Sequence, residues 1–252
     1  MFKPVTQEEQ DAAASITASI INSSMSEYEK VRAIHDYLVD NVAYSYDFDN
    51  RSVYTAQGAF NGKAVCQGYT EAFSLLCFNA GIQAEIVSGT ADNGNGSGPQ
   101  AHAWNLVRID DIWYEVDVTW DDPVGASIPR YDYFLITDAQ IGQDHFAESY
   151  SHQYACTDDR YRTQHMIDSL EQFAEYRYPY GVPKYYVTSK AEITDIIAAE
   201  SLNPSGEFVI MWNSELTSEP IDYREAVEIV LQGQYGIQGS YSGNNYIMLA
   251  TP

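Results

Sequence analysis

The stretch that decides the fold is residues 62–73, which read Gly-Lys-Ala-Val-Cys-Gln-Gly-Tyr-Thr-Glu-Ala-Phe. Apolar residues continue from it at intervals of three and four up to Ala80, which predicts an amphipathic helix that begins near Cys66 and ends before Gly81. The thiol of Cys66 would then lie in the first helical turn, where the positive end of the helix dipole favours a thiolate. The stretch therefore marks Cys66 as a candidate nucleophile, provided that the chain supplies a base and an orienting group elsewhere.

A predicted β-hairpin supplies candidates for both of these groups. Residues 101–109 and 112–120 read as two strands, and the two aspartates between them form the turn. In the register that this turn sets, Trp104 faces Asp117, and both share a face with His102 because side chains alternate along a strand. His102 and Asp117 then become diagonal cross-strand neighbours, within reach of a hydrogen bond.

Cys66, His102 and Asp117 together form the set of groups that a cysteine nucleophile needs. His102 would hold the thiol as a thiolate and later protonate the leaving amine, and Asp117 would orient the imidazole. Cys66 or His102 alone also has a structural interpretation, as a buried helix cysteine or a hydrogen-bonded strand histidine. Asp117 is harder to explain that way, because a carboxylate among strand hydrophobics needs a partner. The order and the shared face of these residues favour catalysis.

A nucleophile that attacks a carbonyl group also needs hydrogen-bond donors for the developing oxyanion. The backbone N–H of Cys66, at the start of a helix, is one such donor. The second donor stays open at this level, and the candidate oxyanion and cleft residues are Gln67, Gln57, Tyr44, Trp104 and Trp120.

The remaining cysteines and histidines have structural or surface interpretations. Cys77 lies on the apolar stripe of the Cys66 helix and is interpreted as a small buried hydrophobe. His35 is interpreted as structural or solvent-facing, and His145, His152 and His165 as parts of solvated loops or helix surfaces. Three cysteines cannot make a complete disulfide framework. Because we find no CxxC, HxxxH or Cys–His ligand spacing, we predict no metal and no other cofactor.

The composition excludes several classes of partner. The formal net charge is −23 and the isoelectric point is near 4.2, which argues against nucleic acid and against anionic membrane surfaces. No run of about 20 apolar residues is present, so we predict no membrane span. The N-terminus lacks the basic region and apolar core of a signal peptide. The sequence leaves two compartments open: the cell surface or exterior if the chain belongs to a longer secreted precursor, and otherwise the cytoplasm.

The order of elements predicts an α+β fold with two domains. Helical spacing in residues 6–22 and a Ser26–Glu29 capping box predict two helices before the Cys66 helix. Two prolines and a glycine in residues 177–183 mark a boundary. We therefore predict a catalytic domain over residues 1–178 and a small βαβαβ accessory domain over residues 184–252.

Three ordered blocks of the first domain also resemble a known family. Residues 62–69, 102–105 and 113–121 are similar to the signature blocks of the transglutaminase-like superfamily, and more closely to its bacterial transglutaminase-like and cytokinesis-type (KY-related) branch. The resemblance covers roughly residues 25–150. It implies a papain-like core, in which a cysteine-bearing helix packs on an antiparallel sheet that supplies the histidine and aspartate. The triad of the family then falls on Cys66, His102 and Asp117.

The resemblance implies attack on a carbonyl group and a thioester intermediate, with either water or an amine as the acceptor. Our first hypothesis is a cysteine-dependent acyl transfer on peptide or protein amides, so that the expected partner is a peptide or protein substrate. The competing hypothesis is a non-catalytic protein-binding or cell-surface module that retains the fold. A metal-dependent hydrolase is a third hypothesis, and it would require bound metal.

Overall fold

The structure of this chain, a computed structural model, describes residues 4–122, 131–178, 181–202, 206–233, 235–242 and 245–251. The chain divides into two units, Met1–Arg162 and Thr163–Pro252. The boundary predicted from the sequence lies between residues 178 and 184, and Pro179 and Tyr180 within it lie outside the described residues. The division at Arg162 instead assigns the helix that follows to the C-terminal unit.

The first unit consists of helices around one antiparallel sheet. Its helices are α1 (Gln7–Ile20), α2 (Glu27–Asn41), α3 (Ala56–Phe60), α4 (Cys66–Asn79), α5 (Val118–Asp121) and α6 (Asp138–Ile141). Its strands are β1 (Ala43–Tyr44), β2 (Lys63–Ala64), β3 (Ala84–Ala91), β4 (Gln100–Ile109), β5 (Ile112–Val116), β6 (Phe134–Ile136) and β7 (His145–Ala147). The five-stranded sheet has the order β6-β5-β4-β3-β7, and β1 and β2 form a separate parallel pair.

The predicted cysteine helix is confirmed as α4, and it lies at the centre of this unit. It begins at Cys66, and its apolar stripe is buried against α1, α2 and β4. Tyr69, Phe73 and Leu76 on this stripe are at most 1% exposed. Gly68 permits the close approach of the first turn, because a Cβ there would lie 2.5 Å from the carbonyl oxygen of Val53. The core therefore holds the N-terminus of α4 in place from several sides.

The two helices predicted before α4 are also confirmed. Ser26 caps α2 with the expected capping box to Glu29, and a second box between Thr6 and Glu9 opens α1. Local capping thus accounts for where both helices begin.

The predicted hairpin has the expected turn and register. Asp110 and Asp111 have φ values of 49° and 67°, the left-handed pair that a tight hairpin turn requires and that aspartate tolerates. The ladder of β4 and β5 runs from Ile109–Ile112 to Asn105–Val116.

The expectation that the second strand continues to residue 120 is wrong. Residues 118–121 form the short helix α5, and Asp117 is its N-cap. The Asp117 carboxylate accepts hydrogen bonds from the backbone N–H groups of Thr119 (2.9 Å) and Trp120 (3.3 Å). Because the Asp117 side chain accepts hydrogen bonds from these backbone N–H groups, the chain can leave the β-ladder and begin a helix at this point. The strand therefore ends one residue before the candidate aspartate.

The second unit is a small α/β module with its own core. Its elements are α7 (Arg162–Arg177), β8 (Lys184–Tyr186), α8 (Lys190–Leu202), β9 (Phe208–Asn213), α9 (Tyr223–Gln232), β10 (Gly236–Ser242) and β11 (Asn245–Thr251). The sheet order is β10-β11-β9-β8, with β8 and β9 parallel. The structure thus adds strand β10 to the predicted βαβαβ order. No helix among the described residues of either unit is long and apolar enough to cross a bilayer.

Candidate active site

Cys66 is the first residue of α4, and its side chain is partly exposed. The parallel pairing of Tyr44 with Ala64 in β1 and β2 fixes the chain two residues before it. Val65, the N-cap residue of α4, forms no side-chain cap, and its carbonyl accepts from the N–H groups of Gly68 and Tyr69, so an α-helix leaves the N–H groups of Cys66 and Gln67 for other partners. The thiol therefore lies at the positive end of a helix whose position the core determines.

His102 on β4 and Asp117 at the end of β5 form a short hydrogen bond. His102 Nε2 lies 2.5 Å from Asp117 Oδ2, and the two side chains are 9% and 1% exposed. The structure thus brings together the two residues that the hairpin register predicts as neighbours. The contact also leaves Nδ1 as the ring nitrogen available to Cys66, because Nε2 is already engaged.

The charges of this pair stabilise each other. Burial opposes protonation of His102, but the charge and hydrogen bond of Asp117, followed by the interaction with the Cys66 thiol, raise its pKa to about 10. Burial likewise opposes ionisation of Asp117, yet the positive charge and hydrogen bond of His102 hold its pKa well below the usual range. His102 is therefore an imidazolium at neutral pH, next to a buried carboxylate and the thiol.

A second histidine, His145, contacts the same carboxylate. Its Nε2 lies 3.0 Å from Asp117 Oδ2, and its Nδ1 lies 2.5 Å from Asp144 Oδ1. The residue is 3% exposed, so the prediction that it lies on a solvated surface is wrong. Tyr133 extends the chain of contacts, since its hydroxyl donates to Asp144 Oδ2 at 2.6 Å. Asp117 is thus oriented by two imidazoles as well as by the N–H groups of α5.

The surface prediction also fails for His165, which is 1% exposed. His152 lies in a loop and is 22% exposed, and its Nε2 contacts Glu115 Oε1 at 2.7 Å. The error has one cause: isolated histidines in polar stretches show no periodicity that could reveal burial. Only for His145 did the sequence offer an indication of a role in the site, because Asp144-His145 falls within the extent of the family resemblance.

The candidate cleft residues differ in how close they lie to the pair. Trp104 is 1% exposed and stacks on His102 with ring centroids 6.1 Å apart. Trp120 is partly exposed and packs against His102 at 5.6 Å. The two tryptophans therefore form apolar walls on the imidazole.

The two candidate glutamines are bound to their own helices. Gln67 is exposed and donates to Glu71 Oε1 at 2.9 Å, and Gln57 donates to Asn61 Oδ1 at 3.2 Å. Tyr44 differs from both, because the burial of its hydroxyl, followed by the charge of Cys66, raises its pKa to about 12. A phenol that remains protonated next to the thiol can donate a hydrogen bond into the site.

Among the described residues of the first unit, two groups of side chains bring possible metal-ligand atoms close together. One is His102, Asp117 and His145; the other is Glu115, Asp138, His152 and Cys156; within each group the donor atoms lie within 4.8 Å of one another. The first group is part of the candidate site, where both imidazoles are hydrogen-bonded to one carboxylate oxygen. The second group lies outside it and was not recognised in the sequence.

Comparison with known proteins finds one family model that matches the first unit, and several relatives. Residues 14–118 match the family model of the transglutaminase-like superfamily. The kyphoscoliosis peptidases of Mus musculus and Homo sapiens are each 27% identical over 152 residues, which cover 53% of this chain and 23% of the relative. The chain therefore matches less than a quarter of the length of these curated relatives.

Two similar solved structures have related descriptions. One is a candidate cysteine protease from Cytophaga hutchinsonii, 27% identical, with a TM-score of 0.36 over 44% of this chain and 37% of that one. The other is a TGase, 20% identical, with a TM-score of 0.40 over 64% of this chain and 47% of that one. The family match and the relatives confirm the resemblance and the α+β fold class predicted from the sequence.

Proposed function

Because residues 14–118 of this chain match the family model of the transglutaminase-like superfamily, we propose that the protein is an enzyme that transfers acyl groups from peptide or protein amides through Cys66. The observation that carries the proposal is the 2.5 Å contact between His102 Nε2 and Asp117 Oδ2, next to a Cys66 thiol that interacts with the same imidazole. A histidine fixed in this way can keep a cysteine ionised and can also return a proton to a leaving group.

The reaction has two balanced steps. The Cys66 thiolate attacks the amide carbonyl carbon, and collapse of the tetrahedral intermediate breaks the C–N bond while His102 donates its proton to the departing amine. Water or a second amine then attacks the thioester, gives a proton back to His102 and releases the thiolate. Asp117 remains ionised throughout and holds the imidazole in one orientation.

Two donors are proposed for the oxyanion of the tetrahedral intermediate. The first is the backbone N–H of Cys66, which an α-helix leaves without an intrahelical acceptor at its first residue. The second is the hydroxyl of Tyr44, since Gln57 and Gln67 already donate to neighbours on their own helices.

Tyr44→Phe tests this assignment. Removal of the hydroxyl should lower kcat by about 10²- to 10³-fold, as expected for the loss of one oxyanion donor. It should leave KM nearly unchanged, because the donor acts only when negative charge develops. Steady-state kinetics on one amide substrate measure both constants, with Gln57→Ala as the matched control. An equal loss in the control, or a loss confined to KM, would contradict the role.

Thioester trapping tests the function itself. The protein is incubated with a peptide library and hydroxylamine, which intercepts an acyl-enzyme as a hydroxamate regardless of the natural acceptor. Mass spectrometry should detect hydroxamates that disappear in Cys66→Ala. Replacement of hydroxylamine by water or by a labelled primary amine then distinguishes hydrolysis from transamidation.

A wild-type protein that forms no hydroxamate, no hydrolysis product and no amidated product would refute the acyl-transfer proposal. The binding-module hypothesis predicts that result together with equal peptide retention by wild type and Cys66→Ala in a pull-down from the same library.

A further inference from the structure

A second cluster of reactive side chains lies in the first unit, outside the proposed triad. Glu115 belongs to β5 and Asp138 opens α6, whereas His152 and Cys156 follow β7. The carboxylate, imidazole and thiol atoms of these four residues all lie within 4.8 Å of one another. Three segments of the chain therefore converge on one point.

The charge of this cluster is poorly balanced. Glu115 and Cys156 are each 1% exposed, and burial of a carboxylate is costly unless it has a compensating partner. Within the described ranges, the ion pairs of Glu115 and Asp138 both go to His152, at 2.7 and 3.4 Å from its Nε2. One imidazole carries at most one positive charge against the buried Glu115 and the 40% exposed Asp138, whereas a divalent cation would balance both.

The set of donors points to one class of cation. A thiol, an imidazole and two carboxylates are the side chains that hold Zn²⁺, whereas Ca²⁺ and Mg²⁺ prefer oxygen atoms alone. Ligand atoms around tetrahedral zinc lie about 3.4 Å apart, given bonds of about 2.0–2.3 Å. His152 Nε2 lies 2.7 Å from Glu115 Oε1 and 3.4 Å from Asp138 Oδ1, and no pair of donor atoms in the cluster is more than 4.8 Å apart. The side chains of Asp138 and His152 are 40% and 22% exposed, which leaves them room to adjust.

We propose that Glu115, Asp138, His152 and Cys156 form a zinc site. All four positions are occupied by protein ligands, so the site is structural and leaves no coordination position for substrate. His152 and Cys156 are separated by three residues, an HxxxC spacing that differs from the CxxC and HxxxH spacings typical of metal sites. The other two ligands are far from these in sequence.

The site is connected to the proposed triad through one side chain. The indole N–H of Trp104 donates to Glu115 Oε2 at 2.8 Å, and the Trp104 ring stacks on His102. Glu115 Oε1 is the oxygen that faces His152. A zinc ion bound there would fix Glu115, hold the segment after β7 against the sheet and support the indole behind the imidazole.

Zinc and cobalt titrations of the chelator-treated full chain test the site. They use the Cys66→Ala background, because Cys66 is another thiol that could bind metal and because the readout is then independent of acyl transfer. We expect one zinc per chain by elemental analysis, and a thiolate-to-cobalt charge-transfer band that is lost in Cys156→Ser. Asp138→Asn should weaken zinc binding by at least the roughly 10- to 100-fold that loss of an outer hydrogen-bond partner causes.

His145→Ala is the matched control, since His145 belongs to the other group with ligand geometry. It should leave zinc affinity and the cobalt band unchanged. Asp138 is exposed enough that Asp138→Asn should fold even if Cys156→Ser does not, and circular dichroism checks both. Stoichiometry near zero, zinc binding that is unaffected by Asp138→Asn, or binding that is lost in His145→Ala would each overturn the proposal.

Discussion

Two buried histidine–aspartate pairs lie at opposite ends of helix α5. Asp117 caps the beginning of the helix and bonds His102, whereas Asp121 is its last residue and bonds His35, with Nε2 to Oδ2 distances of 2.5 and 3.1 Å. Both imidazoles have a raised pKa. Burial opposes the shift in each, and the carboxylate partners raise it to about 10 in His102 and about 9 in His35.

The two pairs differ in what surrounds the second ring nitrogen of each histidine, the one that does not face Asp117 or Asp121. His35 is fully buried, and its Nδ1 bonds Asp36 Oδ1 at 3.0 Å, so that both nitrogens serve carboxylates. His102 is 9% exposed, and its second neighbour besides Asp117 is the Cys66 thiol, which also contributes to its raised pKa. A raised histidine pKa therefore marks an ion pair, and the neighbouring nucleophile and the solvent access decide whether the pair can act in catalysis. The sequence interpretation of His35 as structural agrees with this geometry; its alternative, a solvent-facing side chain, is wrong.

Replacement of each histidine by alanine should produce the largest difference in reaction rate between the two pairs. His102→Ala should slow thioester formation by about 10⁴- to 10⁶-fold, because the thiol loses its base and the leaving amine its acid. His35 contacts no reacting atom, so the folded fraction of His35→Ala should react at a rate within about tenfold of the wild-type rate. Single-turnover kinetics on the best trapped amide, normalised to titratable thiol, make the comparison. Equal losses in the two folded variants would show that the pairs do not differ in function.

Replacing each aspartate by asparagine should give a smaller difference in rate. Asp117→Asn should reduce kcat by about 10²- to 10⁴-fold, since the neutral amide no longer stabilises the imidazolium. The rate of the wild type should fall as the pH rises through about 10, where His102 deprotonates, and the variant should lose activity at lower pH. Asp121→Asn should retain the wild-type pH profile. If the alkaline limb of the pH–rate profile were the same in Asp117→Asn as in the wild type, Asp117 would not be the group that raises the pKa of His102.

For stability, we expect the opposite order: replacement of His35 should cost more than replacement of His102. His35→Ala leaves Asp121 buried and without its imidazole, which should cost about 3–5 kcal/mol. His102→Ala should cost only about 1–2 kcal/mol, because Asp117 keeps its bonds from His145, Thr119 and Trp120. Hydrogen exchange of α2 peptides reports on the first unit alone. A greater loss of protection in His102→Ala would contradict the assignment of His35 as the structural member.

The pH dependence of stability should show the smallest effect. The pKa of His35 is raised from 6.5 to about 9 in the folded state, so its stabilisation is complete below about pH 6.5 and is lost as the pH rises through about 9. This loss amounts to at most about 3 kcal/mol. Protection factors of α2 amides, measured from pH 6 to 10, should decline accordingly in the wild type and remain flat in His35→Gln. A slope of equal size in His35→Gln would assign the titration to another group.

Local sequence determined most of the elements that carry the candidate site. The capping boxes at Thr6 and Ser26, the apolar stripe after Cys66 and the turn at Asp110 each act within a few residues, so that periodicity and capping chemistry are sufficient to predict them. The His102–Asp117 contact followed from one hairpin register. The strand that should have continued past Asp117 ended because the aspartate side chain took the backbone donors itself.

Only the tertiary structure decided which distant residues share an environment. Strand β7 pairs with β3 at the far edge of the sheet from β6, and this pairing brings His145 to Asp117. The contact of His35 with Asp121 and the convergence of Glu115 with Cys156 likewise join segments far apart in sequence. Periodicity specifies which side of an element is buried, but not which other element covers it. Strand order and helix packing make that choice, because they decide which buried polar groups can satisfy one another.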